Sequence, residues 1–235
     1  YARMFGLGEE TNCGLPGEVD GRVPDREWKA EVLDEDWYTG DTLQFVMGQS
    51  GLLVTPMQMA VMTSALANGG KVISPRLVRK IEWPEYLGRG PTLFRAKVVN
   101  EIDCDPANLK IVQQGMRRAV VSEKGTAHGL ANIGFSVAGK TGSAQFDPEK
   151  ETHAWFICYA PYENPRFACA VLVTEGGGGS ETAAPVAASL MKAAIAKYRN
   201  GETSEIQTLL PEEDGEAHAA NEGTQDAPAN TSGEE

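Results

Sequence analysis

Histidine and cysteine are scarce in this 235-residue sequence, and the few present are scattered. No two cysteines have the Cys-x-x-Cys spacing, and no two histidines lie four residues apart. Metal sites in proteins commonly use such spacings, so we predict that the chain holds no metal. The residues concerned are Cys13, Cys104, Cys158, Cys169, His128, His153 and His218.

Long apolar runs and basic clusters are also lacking. No run of about 18 apolar residues occurs, so we predict no membrane span in the chain, and no signal peptide opens it. The net charge of −12 is uneven, because residues 201–235 hold ten Asp or Glu and no Lys or Arg, which leaves only −2 on residues 1–200. Without a basic stripe to neutralise phosphates, nucleic acid is not a predicted partner. The acidic segment 201–235 is predicted to be a disordered tail.

The first residue is Tyr1 rather than Met, and the opening Ala-Arg-Met-Phe-Gly-Leu-Gly is typical of the end of a helix. We therefore expect the sequence to begin inside a domain. Its 41% hydrophobic residues are enough for one domain with a core. We place that domain at residues 1–200.

Periodicity and turn residues predict an α+β domain. The Gly- and Pro-rich residues 6–42 are predicted to be a long ordered loop region. Thr55-Pro56 is typical of a helix start, and Asn68-Gly69-Gly70 of its end. The remaining predicted elements are a strand-like segment from Val72 to Ile81, a helix over 107–121, three strands over Phe135 to Gln145, His153 to Ala160 and Arg166 to Thr174, and an Ala-rich terminal helix over Ala183 to Tyr198.

A Lys-Thr-Gly triplet at Lys140 to Gly142 lies within the first of the three strands. Side chains alternate along a strand, so Thr141 and Ser143 point to one side, where their hydroxyls could grip a carboxylate. Gly142 carries no side chain, which would let a substrate backbone approach the strand edge. On its own the triplet is a weak signal, and an exposed strand with a solvated lysine is the alternative.

Several further segments extend the signal beyond the triplet. In chain order they are Gly14-Leu15-Pro16-Gly17-Glu18, Pro24-Asp25-Arg26-Glu27-Trp28-Lys29, Trp37-Tyr38-Thr39-Gly40-Asp41-Thr42, Thr55-Pro56-Met57-Gln58-Met59-Ala60, Leu66-Ala67-Asn68-Gly69-Gly70, Gly125-Thr126-Ala127, Val137 to Gln145 and His153-Ala154-Trp155-Phe156. With them, the chain resembles the carboxy-terminal half of the transpeptidase domain of class B penicillin-binding proteins, most closely the elongation type. Two departures are Ser50 and Cys158, where the family commonly has Gly.

The resemblance implies an incomplete penicillin-binding or β-lactamase-like transpeptidase fold, an antiparallel sheet flanked by helices. It implies a D,D-transpeptidase that cross-links peptidoglycan stem peptides and is mimicked by β-lactams, with no cofactor. Catalytic roles are implied for Lys140 and for the Ser143 N–H, an oxyanion-hole donor, and substrate binding for Lys140, Thr141, Gly142 and Ser143. A SEDS-type glycosyltransferase is the implied partner, and the outer face of the cytoplasmic membrane the implied location.

Two motifs that precede Lys-Thr-Gly in the family are not found before the triplet in this sequence. Its serine nucleophile belongs to a Ser-x-x-Lys motif that precedes a Ser-x-Asn motif and then Lys-Thr-Gly. Here Ser189 to Lys192 spells Ser-x-x-Lys but follows the triplet, so we interpret Ser189 as a small packing residue of the terminal helix. Tyr162-Glu163-Asn164 mimics the second motif and is interpreted as a turn. We therefore expect the true motifs before Tyr1, a membrane anchor with them, and no activity from this chain alone.

Two other functions remain open on the sequence. A serine β-lactamase or D,D-carboxypeptidase shares Lys-Thr-Gly but passes the acyl group to water. A non-enzymatic sensor could bind β-lactam or peptide without turnover.

The sequence also leaves open whether Cys158 and Cys169 form a disulfide bridge. The two residues would face each other across a hairpin centred near Glu163, and free buried thiols are favoured.

Overall fold

The structure is a computed structural model that describes residues 1–200; the predicted tail at 201–235 lies outside the described residues. Its helices are α1 (Arg26–Leu33), α2 (Thr39–Val46), α3 (Pro56–Ala67), α4 (Pro106–Val121) and α5 (Ala183–Arg199). Its strands are β1 (Lys71–Ser74), β2 (Lys80–Ile81), β3 (Thr92–Leu93), β4 (Lys97–Glu101), β5 (Ala138–Ala144), β6 (His153–Ala160) and β7 (Phe167–Val173). None of the described helices is long and apolar enough to cross a membrane.

Strands β5, β6 and β7 form one antiparallel sheet in that order, so β5 is an edge strand within the described residues. Thr141 pairs with Phe156, and Cys158 pairs with Cys169. Strands β1 and β4 form a second antiparallel pair, and β2 and β3 a third. The three strands and the hairpin predicted from sequence are thereby confirmed; β6 has the predicted bounds, whereas β5 and β7 are shorter than predicted.

The two faces of the sheet are covered by different helices. On one face, Phe156 and Cys158 of β6 are buried in a cluster with Ala184 and Met191 of α5. On the other face, Ile157 and Tyr159 pack with side chains of α3 and α4. Residues 156–160 of β6 are therefore all buried, with successive side chains on opposite faces. Removal of these side chains from water is the main force that holds the helices on the sheet.

Capping explains where α3 begins. The Thr55 hydroxyl accepts a hydrogen bond from the Gln58 N–H at 3.1 Å, and the Gln58 side chain accepts one from the Thr55 N–H at 2.8 Å. Pro56 occupies the first helical position, where no intrahelical donor is needed. The predicted start of this helix is confirmed.

The prediction of a continuous loop over residues 6–42 is wrong, because α1 and the start of α2 lie within it. The Asp25 carboxylate caps α1 by accepting from the Trp28 N–H at 2.9 Å. The Asp41 carboxylate accepts from the Tyr38 N–H at 2.7 Å and so closes the first turn of α2. Gly and Pro flank these short helices, and that composition concealed the caps.

The predicted segment from Val72 to Ile81 is also divided. Strand β1 ends at Ser74, directly before Pro75, and the chain becomes extended again only at β2. Proline has no N–H to donate to a ladder, which is the physical reason for the interruption.

Candidate active site

The unpaired edge of β5 carries main-chain groups of Thr141 and Ser143. The Thr141 carbonyl accepts a hydrogen bond from the Lys140 ammonium, and the Ser143 carbonyl accepts one from the Gln49 side-chain amide at 3.3 Å. Both carbonyls therefore point away from β6. In an antiparallel ladder the N–H and C=O of one residue share a direction, so the N–H groups of Thr141 and Ser143 face the same free edge.

The side chains of Thr141 and Ser143 lie on one face of the sheet, as the sequence predicts. Their partners on β6 are Phe156 and Ala154, which are both buried in the cluster on the α5 face. The Thr141 hydroxyl is 2.8 Å from the Thr126 hydroxyl. The Ser143 hydroxyl lies 3.5 Å from the Gly177 carbonyl, a weak contact that leaves it able to turn to a ligand.

A glycine segment after β7 supports the strand at the triplet. A Cβ added to Gly179 would meet the Trp155 carbonyl oxygen at 2.3 Å and the Gly142 carbonyl oxygen at 2.7 Å. Only glycine allows the segment 176–179 to lie directly on the β5–β6 backbone there. These glycines follow the end of the strand predicted over Arg166 to Thr174, and the structure shows that they pack against the Lys-Thr-Gly strand.

Thr126 is fixed by its neighbours. A Cβ on Gly125 would lie 2.2 Å from the Ala119 carbonyl oxygen, so glycine is needed for this segment to pass so close to the end of α4. The same carbonyl accepts a hydrogen bond from the Ala127 N–H at 2.9 Å. These contacts hold the Thr126 hydroxyl against the Thr141 hydroxyl.

A cavity of about 410 Å³ opens beside Thr126, and its lining includes His128, Ser180, Ser189 and Lys192. The Ser-x-x-Lys sequence of α5 therefore shares a cavity with Thr126, whose hydroxyl contacts Thr141 of the Lys-Thr-Gly strand. The Ser189 hydroxyl is exposed and donates to the Pro185 carbonyl of its own helix at 3.1 Å. Its interpretation as a packing residue is wrong, because the side chain faces this cavity.

Tyr162, Glu163 and Asn164 lie in the turn between β6 and β7, as predicted. The Ser136 hydroxyl donates to the Glu163 carboxylate, and this hydrogen bond lowers the pKa of Glu163 below its ordinary value. The Tyr162 ring stacks on Tyr159 with the ring centroids 6.2 Å apart. These contacts fasten the turn to the sheet and the segment before β5.

Cys158 and Cys169 are free thiols that face each other across β6 and β7; Cys158 is buried, as favoured, whereas Cys169 is only half-buried. A hydrogen bond between the two thiols, together with burial, raises the pKa of Cys158 far above its ordinary value. The same hydrogen bond lowers the pKa of Cys169. Within residues 1–200, no group of three or more His, Cys, Asp or Glu side chains is placed to hold a metal ion.

The structure adds Gln49 and Thr126 to the residues that the sequence assigned to the site. Gln49 directly precedes Ser50, one of the two departures, and Thr126 belongs to the segment Gly125-Thr126-Ala127, which contributes to the family resemblance; neither residue was given a role. Their side chains reach Ser143 and Thr141, respectively. An adjacent glycine was the available signal in both cases: Gly125 lies against the Ala119 carbonyl, and Gly48 has φ +79°, a conformation that favours glycine.

Comparison with known proteins identifies the class to which this fold belongs. Residues 1–192 match the family model of the penicillin binding protein transpeptidase domain. The chain belongs to this family. Its α+β fold is therefore that of a penicillin-binding transpeptidase, and the sequence-based assignment is confirmed.

The relatives specify the branch of the family. The peptidoglycan D,D-transpeptidase MrdA of Haemophilus influenzae is 34% identical over 207 residues, which cover 81% of this chain and 31% of that protein. The structure of Pseudomonas aeruginosa PBP2 in complex with WCK 5153 is similar with a TM-score of 0.70 and 38% identity, over 81% of this chain and 40% of that one. The complex of Helicobacter pylori PBP2 with MreC has a TM-score of 0.70 and 31% identity, over 83% of this chain and 35% of that one.

These similarities confirm the resemblance to elongation-type class B penicillin-binding proteins. The chain spans about a third of the length of the MrdA relative it matches. Its matched portion includes the Lys-Thr-Gly strand, and the activity of a whole protein is a separate question.

Proposed function

We propose that the protein to which this chain belongs is a peptidoglycan D,D-transpeptidase, and that residues 138–144 form the substrate-binding wall of its active site. The observation that carries the proposal is the free edge of β5, where the N–H and C=O groups of Thr141 and Ser143 face outward. An extended peptide can add to such an edge through main-chain hydrogen bonds.

The terminal D-Ala carboxylate of a stem peptide would lie near Lys140 and the hydroxyls of Thr141 and Ser143. A hydroxyl both donates and accepts, so Thr141 can turn its proton to the carboxylate while Thr126 becomes the donor to Thr141. The Ser143 N–H would bind the carbonyl oxygen of the scissile bond as that oxygen gains negative charge. Preorganised donors of this kind stabilise the transition state more than the ground state.

The nucleophile would be the serine of a Ser-x-x-Lys motif in residues that precede Tyr1. Its oxygen would form an ester with the penultimate D-Ala carbonyl carbon, and the amide C–N bond would break. The terminal D-Ala would leave as the amine after taking the proton from the serine hydroxyl. An amine of a neighbouring stem peptide would then attack the ester, form the cross-link and return the serine.

The two alternatives differ in the fate of the ester. A β-lactamase or carboxypeptidase would transfer it to water, and a sensor would retain it without turnover. The naming of the Haemophilus influenzae relative as a D,D-transpeptidase favours the cross-linking reaction. We place the protein on the outer face of the cytoplasmic membrane beside a SEDS-type glycosyltransferase; the MreC complex of the Helicobacter pylori relative supports a setting in a cell-wall assembly.

The experiment uses the full-length protein with a stem-peptide donor and an amine acceptor, and the products are separated by mass. Transpeptidation predicts a cross-linked dimer with loss of one D-Ala, and covalent labelling by a fluorescent penicillin at one serine outside residues 1–235. Release of D-Ala without dimer would indicate the carboxypeptidase alternative. Labelling without any turnover of peptide would indicate the sensor.

A further inference from the structure

We propose that Gln49 is a positioning residue for substrate on the wall, acting through the Ser143 carbonyl. The inference rests on the proposed function and extends it to a residue 94 positions before Ser143 in the chain. The amide Nε2 of Gln49 donates to the Ser143 carbonyl oxygen at 3.3 Å, on the free edge of β5. Gln49 thus contacts the outward-facing carbonyl next to the proposed oxyanion donor.

The turn that carries Gln49 has a constrained backbone and close contacts with its neighbours. Gly48 has φ +79°, and Ser50 has φ +66°, a left-handed conformation that is strained for a residue with a Cβ. A Cβ on Gly51 would lie 2.8 Å from the Trp28 ring, and the Gly51 carbonyl accepts from Arg22 Nε at 2.7 Å. Such backbone strain persists only where the surroundings determine the conformation, and here they aim Gln49 at β5.

Trp28 links this turn to the rest of the fold. The Arg22 guanidinium lies 4.5 Å from the centre of the Trp28 ring. Trp28 lies in α1, whose first turn is capped by Asp25, and Asp25 is ion-paired with Arg3 at 2.6 Å. A chain of contacts therefore runs from the α1 cap to the side chain at the free edge.

A carbonyl oxygen has two acceptor positions. The Gln49 amide occupies one acceptor position of the Ser143 carbonyl oxygen and so fixes the peptide plane that joins Ser143 to Ala144. The second position stays open toward the edge, where an N–H of an added peptide can donate. The hydrogen bond from Gln49 keeps the Ser143 carbonyl oriented, so that a substrate or β-lactam with an amide N–H can bind this carbonyl while its reacting carbonyl lies at the Ser143 N–H. A compound that lacks the amide N–H makes no hydrogen bond to the Ser143 carbonyl, so its acylation depends less on Gln49.

The test measures second-order acylation of the full-length protein by two β-lactams. One is a penicillin, whose acylamino group carries the N–H, and the other is a carbapenem, which lacks it. We expect Gln49→Ala to slow acylation by the penicillin about tenfold, the typical effect of one hydrogen bond, and to slow the carbapenem clearly less. Gln44→Ala is the matched control, because Gln44 is an exposed glutamine of α2 five positions away; both rates should stay parental.

Gln49→Glu gives a second readout, a pH profile. Glutamate keeps the length of the side chain but has no donor at pH 7, whereas protonation at about pH 4–5 restores one O–H. Relative to the parent at the same pH, the penicillin rate should be low at neutral pH and recover as the pH falls. An unchanged Gln49→Ala rate, or equal losses for both β-lactams without pH recovery, would overturn the inference. Failure of the parent to be acylated by either compound would instead refute the proposed function.

Discussion

The hydroxyl of Thr141 lies 2.8 Å from the hydroxyl of Thr126, which precedes it by 15 residues. This contact joins the Lys-Thr-Gly strand to the segment that follows α4. Thr126 in turn is flanked by Gly125 and Ala127, which both lie against the Ala119 carbonyl. The orientation of a side chain proposed to bind substrate is therefore set by contacts with the carboxy-terminal end of α4.

Replacement of Thr141 by Val should lower the acylation rate of the full-length protein about 10- to 100-fold, the range for one charge-assisted hydrogen bond. Valine keeps the β-branched shape and removes only the hydroxyl. Thr126→Val should have a smaller effect, because it removes the partner and not the group that touches substrate. The double variant should be no slower than Thr141→Val. Strictly additive losses in this double-mutant cycle would show that the two hydroxyls act independently.

The pH dependence of stability should include a contribution from Asp41. Its pKa is lowered, first by the hydrogen bond from the Lys29 ammonium and then by the Tyr38 N–H. A carboxyl with a lowered folded-state pKa stabilises the fold above its unfolded pKa of about 4, and that contribution disappears as the pH falls through the lower folded value. Thermal melts of the parent should thus lose stability on acidification below about pH 4, and Asp41→Asn should lose less over the same interval. Parallel curves for the two proteins would contradict the assignment.

The two facing cysteines should differ in reactivity. The thiolate is the reactive form, and the shared hydrogen bond lowers the pKa of Cys169 while it raises that of Cys158. Cys169 is also the less buried of the two. A limiting amount of iodoacetamide on the native protein, followed by peptide mapping, should modify Cys169 first. Preferential modification of Cys158 would show that Cys158, and not Cys169, has the lower pKa of the two thiols.

Ser189 should not be a nucleophile, although it shares a cavity with Thr126. Its hydroxyl donates to the Pro185 carbonyl, which is not a base that could activate it. The 235-residue chain should therefore form no covalent adduct with a fluorescent penicillin, and Ser189→Ala should leave acylation of the full-length protein unchanged. Stable labelling of the 235-residue chain that disappears in Ser189→Ala would identify a second acylation site and reverse this conclusion.

The parts of the fold that sequence patterns predicted are those with local causes. Thr55 and Pro56 define the start of α3 by capping, and the turn around Glu163 sets the register that brings Cys158 opposite Cys169. The same period-two pattern correctly placed Thr141 and Ser143 on one face of β5. Such signals act over a few residues and can be recognised without tertiary contacts.

The parts that sequence patterns missed depend on contacts between distant segments. Gln49 reaches Ser143 only because Gly51 packs on Trp28 and Arg22 holds the turn, and no periodicity records that arrangement. Ser189 likewise faces a cavity whose opposite wall comes from the segment after α4. The resemblance pointed to the strand that we propose as the substrate-binding wall, whereas the residues that contact this strand from distant segments required the three-dimensional structure.

The most direct test of the wall is the second-order rate at which a penicillin acylates full-length Lys140→Ala, measured beside its melting temperature. Lys140 supplies the positive charge of the strand, and its ammonium contacts the Thr141 carbonyl on the free edge. Loss of this charge removes an attraction for the substrate carboxylate. It also changes the pKa values of the groups that transfer the proton, so the rate should fall further than in Thr141→Val. An unchanged melting temperature with a rate at least 10- to 100-fold below the parent is the predicted result. A folded Lys140→Ala protein that acylates at the parental rate would contradict the assignment of this strand to the active site.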